Sequence, residues 1–349
     1  MPAILSLPDE VLIKIFRYAI PLRTIIANSG LAFRFYHSDT TTASLCLVSK
    51  LFRELSQPLL YRAIIIYSDS SAELLLKSEG FERCRTVDLE VVGGTPSFAG
   101  GGVQHNTARN LVQSSQCWGL KVLRLRNIWR FDLRALQFTA SCLENLTLEL
   151  IWPAEPLGEW TFPAELAHFN LGGTLFDHTF LSPIITSSMS SIRSLSLGSA
   201  HWSTTESNIF SLPDFSSFAA NVAFLNLTFR QGDTDSSSVG RKFTHFNSIT
   251  HLSLENTDFD TISILMKSLP SETPTITNLR LALSRNSPYL NSDEILAWKS
   301  FIRRMRVLKK LAEITWVVTW QNPADLGTSE TLEILRAGRD VRMVLETPS

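Results

Sequence analysis

One short pattern recurs nine times between residues 84 and 316: an apolar residue, two of any kind, a second apolar residue, one of any kind, and a third apolar residue. The second and third apolar positions fit one face of a β-strand, because successive side chains of a strand point to opposite faces. The copies end at residues 89, 125, 148, 171, 197, 227, 254, 281 and 316, at spacings of 23 to 36 residues. A unit of this length cannot bury its apolar face alone, so the pattern predicts a solenoid of stacked repeats.

Residues 63–349 are therefore predicted to form an α/β solenoid with one strand per repeat. Residues 63–67 are predicted as a first strand and residues 341–345 as a last one. Helices are expected between strands, for example at 178–190, 258–268 and 293–310. The spacing resembles that of leucine-rich repeats, with some irregular copies. That resemblance implies a curved parallel sheet, with the strands on the concave side and the helices or loops on the convex side.

The residue between the two strand leucines points away from the core, toward the expected concave face. Binding of a target protein is predicted at the following positions on that face: Arg124, Arg126, Glu149, Asn170, Ser196, Asn226, Ser253, Glu255 and Arg280. Asp88 and Glu90 share the face, so its charge is mixed, which favours a protein partner over a polyanion. Arg124 and Arg126 are the predicted anchors, because arginine pairs bidentately and is enriched at hot spots. Binding through a loop or the C-terminal end is the alternative.

The first 62 residues have a different pattern. Ser6 is a suitable N-cap, and the segment Leu7-Pro8-Asp9-Glu10-Val11-Leu12 begins an apolar helical stripe. A second stripe starts at Leu45, and Pro58 is predicted to begin a short third helix. Three helices this short have too little core to be very stable alone, so a partner or the rest of the chain would stabilise them.

These motifs, in this order, resemble the F-box: Leu-Pro-x-Glu-Val-Leu-x-x-Ile-Phe, then Val-Ser-Lys-x-Phe-Arg, then Pro-Leu-Leu-Tyr. The resemblance implies a three-helix module over 1–62 that docks on a Skp-type adaptor of a cullin ubiquitin ligase. Residues 20–43 are interpreted as an inserted loop. The resemblance implies that ten residues face or support the adaptor: Leu7, Pro8, Val11, Leu12, Ile15, Phe16, Leu45, Val48, Ser49 and Phe52.

Composition argues against several other classes. The net charge of −1 gives no case for nucleic acid or an acidic membrane surface as a partner. No apolar run reaches the ~18 residues of a membrane span. Four cysteines and seven histidines lack metal-ligand spacing, so no metal or cofactor is expected. Reduced thiols suit an intracellular protein, cytoplasmic or nuclear.

No catalytic constellation is present, so the chain is not expected to be an enzyme. It resembles F-box proteins with degenerate leucine-rich repeats, which implies a substrate-recognition subunit of a Skp–cullin–F-box ligase. The alternative is an adaptor-bound scaffold with no ligase role. The tryptophans, Trp129 and Trp152 among them, are interpreted mainly as core residues, with some as recognition anchors.

Overall fold

The computed structural model describes residues 7–19, 47–60, 63–77, 87–94, 102–114, 119–153, 159–173, 178–198, 208–229, 245–257, 275–283, 310–317 and 342–346. Its helices and strands, in chain order, are α1 (Asp9–Ala19), α2 (Lys50–Leu60), β1 (Ala63–Ile66), α3 (Asp69–Leu76), β2 (Asp88–Val92), α4 (His105–Ser114), β3 (Val122–Arg126), β4 (Trp129–Phe131), β5 (Asn145–Glu149), β6 (Trp152–Pro153), β7 (His168–Gly172), α5 (Ser182–Ser188), β8 (Ser194–Leu197), α6 (Phe215–Ala220), β9 (Phe224–Thr228), β10 (His251–Thr257), β11 (Asn278–Leu283), β12 (Glu313–Val317) and β13 (Arg342–Glu346). Short 3-10 helices span Leu133–Phe138, His178–Leu181 and Asn208–Ser211.

The chain divides into two compact units. Unit 1 contains Met1–Asn145 and Ile151–Ala164, and unit 2 contains Leu146–Leu150 and Glu165–Ser349. In unit 1, strands β1, β2 and β3 pair in parallel and in chain order, and β4 and β6 form a separate parallel pair. In unit 2, each strand from β7 to β13 pairs in parallel with the next one along the chain. The predicted α/β class and the parallel sheet of repeated strands are confirmed.

The leucines of unit 2 form two rows across the sheet, in strict register. One row aligns Phe169, Leu195, Leu225, Leu252 and Leu279, and all of them are buried. The other row continues from Leu171 through Leu281 in the same way. Each leucine therefore packs between its equivalents in the two neighbouring repeats, which is how the repeats share one core.

A second feature recurs where each strand begins. The carbonyl oxygen of Arg193 accepts hydrogen bonds from the backbone N–H groups of Ala223 and Phe224, both at 2.9 Å. The carbonyls of Ala223 and Thr250 do the same for the two residues that open the next repeat. In unit 1, the carbonyl of Val87 accepts from Lys121 and Val122. One acceptor in each repeat thus positions the start of the repeat that follows it.

Several details differ from the sequence prediction. The helix α2 continues through Pro58 to Leu60, so Pro58 does not begin a separate helix. The expected helix at 178–190 is found as a 3-10 turn followed by α5. The first predicted strand is β1 and the last is β13, displaced by one residue. The pair of strands β4 and β6 was not predicted, and residues 258–268 and 293–309 lie outside the described part of the chain.

Candidate interaction surfaces

The N-terminal helices α1 and α2 pack against each other through aromatic side chains. Phe16 and Phe52 meet edge to face, with ring centroids 5.0 Å apart, and both are buried. Leu12 is also buried, and the hydroxyl of Ser56 donates to the carbonyl of Phe52 at 2.6 Å. Three residues of the predicted adaptor-binding set, Leu12, Phe16 and Phe52, therefore support this module from inside and present no surface to a partner.

Other apolar residues of the same segment face outward. Val11 is 39% exposed, Ile15 46%, Val48 63% and Leu47 80%, and Pro8 is exposed as well. We call Val11, Ile15, Leu47 and Val48 the apolar N-terminal patch. Large apolar side chains that stay exposed above a packed core are candidates for a docking surface.

Ser49 has a structural task in the helix that follows it. Its hydroxyl oxygen accepts a hydrogen bond from the backbone N–H of Phe52 at 3.1 Å, and its carbonyl accepts from Arg53. Ser49 therefore caps the first turn of α2. Leu47 and Val48 form a helical turn just before this cap. Leu45 and the segment 20–43 lie outside the described residues.

The polar face of the sheet in unit 1 is neutralised by ion pairs between neighbouring strands. Arg124 Nη1 lies 2.5 Å from Asp88 Oδ1, and Arg126 Nη1 lies 3.1 Å from Glu90 Oε1. Asp88 and Glu90 were expected to face solvent, but both are buried, because the guanidinium groups of the next strand cover them. The predicted anchors Arg124 and Arg126 are therefore engaged within the protein itself.

The polar face of unit 2 carries short uncharged side chains along its middle row: Asn170, Ser196, Asn226 and Ser253. Asn226 Nδ2 donates to Ser196 Oγ at 3.2 Å. The row continues to Arg280, whose Nη1 lies 2.9 Å from Glu255 Oε1, and Glu255 is buried. The structure thus brings most of the predicted target-binding residues onto one sheet face, with the arginine of that row already paired. Glu149 lies half-buried on β5 of the same unit.

A histidine lies at one margin of this face. The rings of Phe224 and His251 stack with centroids 4.2 Å apart, and Thr250 Oγ1 lies 2.9 Å from His251 Nδ1. Burial lowers the pKa of His251, and the charge of Glu313 opposes that effect only in part. The imidazole is therefore neutral at neutral pH.

The middle row also contains a buried hydroxyl group. Ser253 Oγ and Asn226 Oδ1 are shielded from solvent, and neither has a hydrogen-bond partner among the described residues. We expect Ser253→Ala to raise the free energy of unfolding by about 1 kcal/mol, because a buried unsatisfied hydroxyl is removed. Ser196→Ala, the matched variant two row positions away, should lower it by about 1 kcal/mol because the bond from Asn226 is lost.

Guanidinium unfolding followed by circular dichroism measures both changes. Equal destabilisation by the two serine variants would contradict the hydrogen-bond assignment in this row.

A pair of tryptophans forms a further surface feature, in unit 1. Trp129 on β4 and Trp152 on β6 lie with ring centroids 5.1 Å apart and planes tilted by 38°. Trp129 is 46% exposed and Trp152 is half-buried, although both were interpreted mainly as core residues. A usable signal exists in the sequence: Leu-Arg-Asn-Ile-Trp and Leu-Glu-Leu-Ile-Trp place an Ile-Trp pair at the same offset after consecutive strands.

Within the described part of the chain, no group of three or more His, Cys, Asp or Glu side chains is placed to hold a metal ion. Cys142 is exposed, and its thiol lies 3.5 Å from the carbonyl of Leu120. Within the same part of the chain, none of the helices has the length and apolar character needed to cross a bilayer.

No protein-family model matches this chain, and no curated protein matches it. Among solved structures the chain is similar to the leucine-rich repeat-containing protein LegL7 from Legionella pneumophila. The two are 15% identical with a TM-score of 0.40, over 68% of this chain and 78% of that one.

Proposed function

We propose that this chain is the target-recognition subunit of a Skp–cullin–F-box ubiquitin ligase. The observation that carries the proposal is the apolar N-terminal patch, which lies on the helices whose sequence resembles the F-box. Stacked parallel repeats fit a protein-interaction role, because they offer a long sheet face built from neighbouring strands. The chain itself would do no chemistry. It would raise the effective concentration of a target lysine near a ubiquitin-loaded enzyme.

Adaptor binding is the part of this proposal that can be tested first. We expect the variant Val11→Asp with Val48→Asp to lose at least ~30-fold in affinity for a Skp-type adaptor, because losing an interface anchor costs about 2 kcal/mol or more. Both side chains are exposed, so the fold should survive the change. Isothermal titration of the purified adaptor into full-length protein measures the affinity.

The matched control is Lys14→Ala with Glu54→Ala, which changes exposed polar residues of the same two helices. This control should bind as the unchanged protein does. If the Val11 and Val48 variant also binds with unchanged affinity, the F-box assignment is wrong.

An adaptor-bound scaffold with no ligase role is the second candidate. It shares the same N-terminal surface, so the adaptor titration does not separate the two. Co-purification of a cullin, together with ubiquitination of a bound protein in a reconstituted reaction, supports the ligase. Adaptor binding without cullin recruitment supports the scaffold.

A further inference from the structure

Two tryptophans occupy equivalent positions in consecutive repeats of the chain. In each repeat, the tryptophan lies four positions after the last buried strand leucine, at Leu125 to Trp129 and Leu148 to Trp152. The intervening Ile128 and Ile151 are fully buried, and the backbone N–H of Trp152 donates to the carbonyl of Ile128 at 3.1 Å. The repeats therefore stack the two indoles next to each other at the surface of unit 1.

The backbone around these tryptophans is strained. Asn127, Arg130 and Leu150 have φ values of 55°, 57° and 52°, in the left-handed region. Asn127 is stabilised by its side chain, which donates to the carbonyl of Gly93 at 3.2 Å. Bulky residues such as leucine and arginine are outliers in this region of backbone conformation. Strain of this kind clusters at binding sites, where the surrounding structure holds it in place.

The elements next to the tryptophans carry excess positive charge. The helix α4 packs against β4 and against the 3-10 helix Leu133–Phe138. The charged residues described in these elements and at their junction are Arg109, Arg130, Arg134 and Asp132. Arg134 pairs with Asp132 at 3.0 Å, and Arg109 lies near the same carboxylate. The carboxylate of Asp132 thus faces the guanidinium groups of Arg134 and Arg109, while Arg130 is exposed on β4.

We propose that the basic aromatic surface, formed by Trp129, Trp152, Arg109 and Arg130, binds an acidic segment of a protein partner. An apolar side chain of that segment lies on the exposed indole, and its carboxylates pair with the two arginines. Tryptophan and arginine dominate the hot spots of protein interfaces. The excess of positive charge selects an acidic segment over a basic one.

The ion-paired sheet face of unit 1 is a poorer site for the same segment. Arg124 and Arg126 would have to leave the buried carboxylates of Asp88 and Glu90 before binding anything else. Exchanging one buried ion pair for another gains little. The inference rests on the proposed function only in naming the partner as a ligase target, and the test below contains no adaptor.

The test is a selection of short random peptides, displayed on phage, against the immobilised full-length protein. Selected peptides should be rich in Asp and Glu and should carry at least one apolar residue. The best peptide is then synthesised, and its affinity is measured by titration followed through tryptophan fluorescence. We expect Trp129→Ala and Arg130→Glu each to weaken binding at least ~10-fold, as loss of a hot-spot residue does.

The matched control variants are Leu74→Ala, which removes an exposed apolar residue of α3, and Lys77→Glu, which reverses an exposed charge at the C-cap of that helix. Both should bind the peptide within about twofold of the unchanged protein. Circular dichroism and the unfolding midpoint confirm that every variant is folded. Selected peptides without acidic enrichment, a selection that yields no binder, or unchanged affinity in folded Trp129→Ala would each overturn the proposal.

Adaptor titration of the same Trp129→Ala protein separates this inference from the proposed function. Intact adaptor binding with lost peptide binding supports both. A second outcome is that the adaptor does not bind the protein at all, while the Val11 and Val48 variant still binds the peptide. That outcome supports the basic aromatic surface and rejects the ligase role.

Discussion

Leu195→Asp should unfold unit 2 at room temperature or lower its free energy of unfolding by at least about 4 kcal/mol. Leu195 is fully buried in the leucine row, between Phe169 and Leu225 of the adjacent strands. A carboxylate in that position has no cation to pair with in the described leucine rows, and an unpaired buried charge costs several kcal/mol in addition to the lost packing. Guanidinium unfolding followed by far-ultraviolet circular dichroism measures the change.

The control for this prediction is Ser194→Asp, one residue earlier on the same strand. Ser194 is half-buried on the polar face, where a carboxylate can reach water. We expect it to cost less than about 1 kcal/mol. Similar losses in the two variants would show that the leucine rows do not form the core.

Arg126→Leu should lower the free energy of unfolding by about 3 kcal/mol, because it leaves the carboxylate of Glu90 buried without this guanidinium. Glu90 has a side chain only 4% exposed, so water cannot replace the lost partner. The double variant Glu90→Leu with Arg126→Leu should recover most of that loss, since an apolar pair of similar volume often replaces a buried ion pair at little cost. The comparison requires unfolding curves for both single variants and the double variant.

Lys121 and Glu144 provide the matched exposed pair. Their atoms approach to 2.5 Å, but both side chains are about half exposed. Lys121→Ala should leave the unfolding midpoint unchanged, because exposed ion pairs contribute little.

The buried pair has its own contradicting outcome. If the double variant at Glu90 and Arg126 is destabilised by the sum of the two single effects, the two charges are not coupled.

The sheet could be predicted from sequence because its signal is local. The period of two in a motif such as Leu195-Ser196-Leu197 specifies which side chains share a face, and nine copies specify how often a strand recurs. The two residues Leu195 and Leu197 are buried as that alternation requires, and Ser196 is on the other face.

The ion pairs could not be predicted in the same way, because they depend on the register between strands. Arg124 is aligned with Glu90 but pairs with Asp88, two residues earlier on β2. Sequence alternation puts all three side chains on one face, but it does not say that they cover one another. This is why Arg124 and Arg126 were predicted as free anchors for a target.

The outward tryptophans were missed for a backbone reason. Asn127 and Leu150 adopt the left-handed conformation directly after β3 and β5, so the alternation that holds within the strand stops there. Nothing in the residue type of Leu150 signals that conformation, since leucine rarely adopts it. At the N-terminus, helical periodicity identified the stripe correctly but could not tell buried Leu12 from exposed Val11.

The shared acceptors at the strand starts give the repeats of this protein a direction. In every described case, the carbonyl belongs to the earlier repeat and the two N–H groups belong to the later one, as with Arg193 for Ala223 and Phe224. Removing the later repeat leaves one carbonyl of the earlier repeat without its donors. Removing the earlier repeat leaves two N–H groups of the later repeat without their acceptor. Synthesis on the ribosome delivers the repeats in that favourable order, since the N-terminal part of a chain emerges and folds first. Each new repeat of this chain can therefore add to a template whose acceptor is already in place.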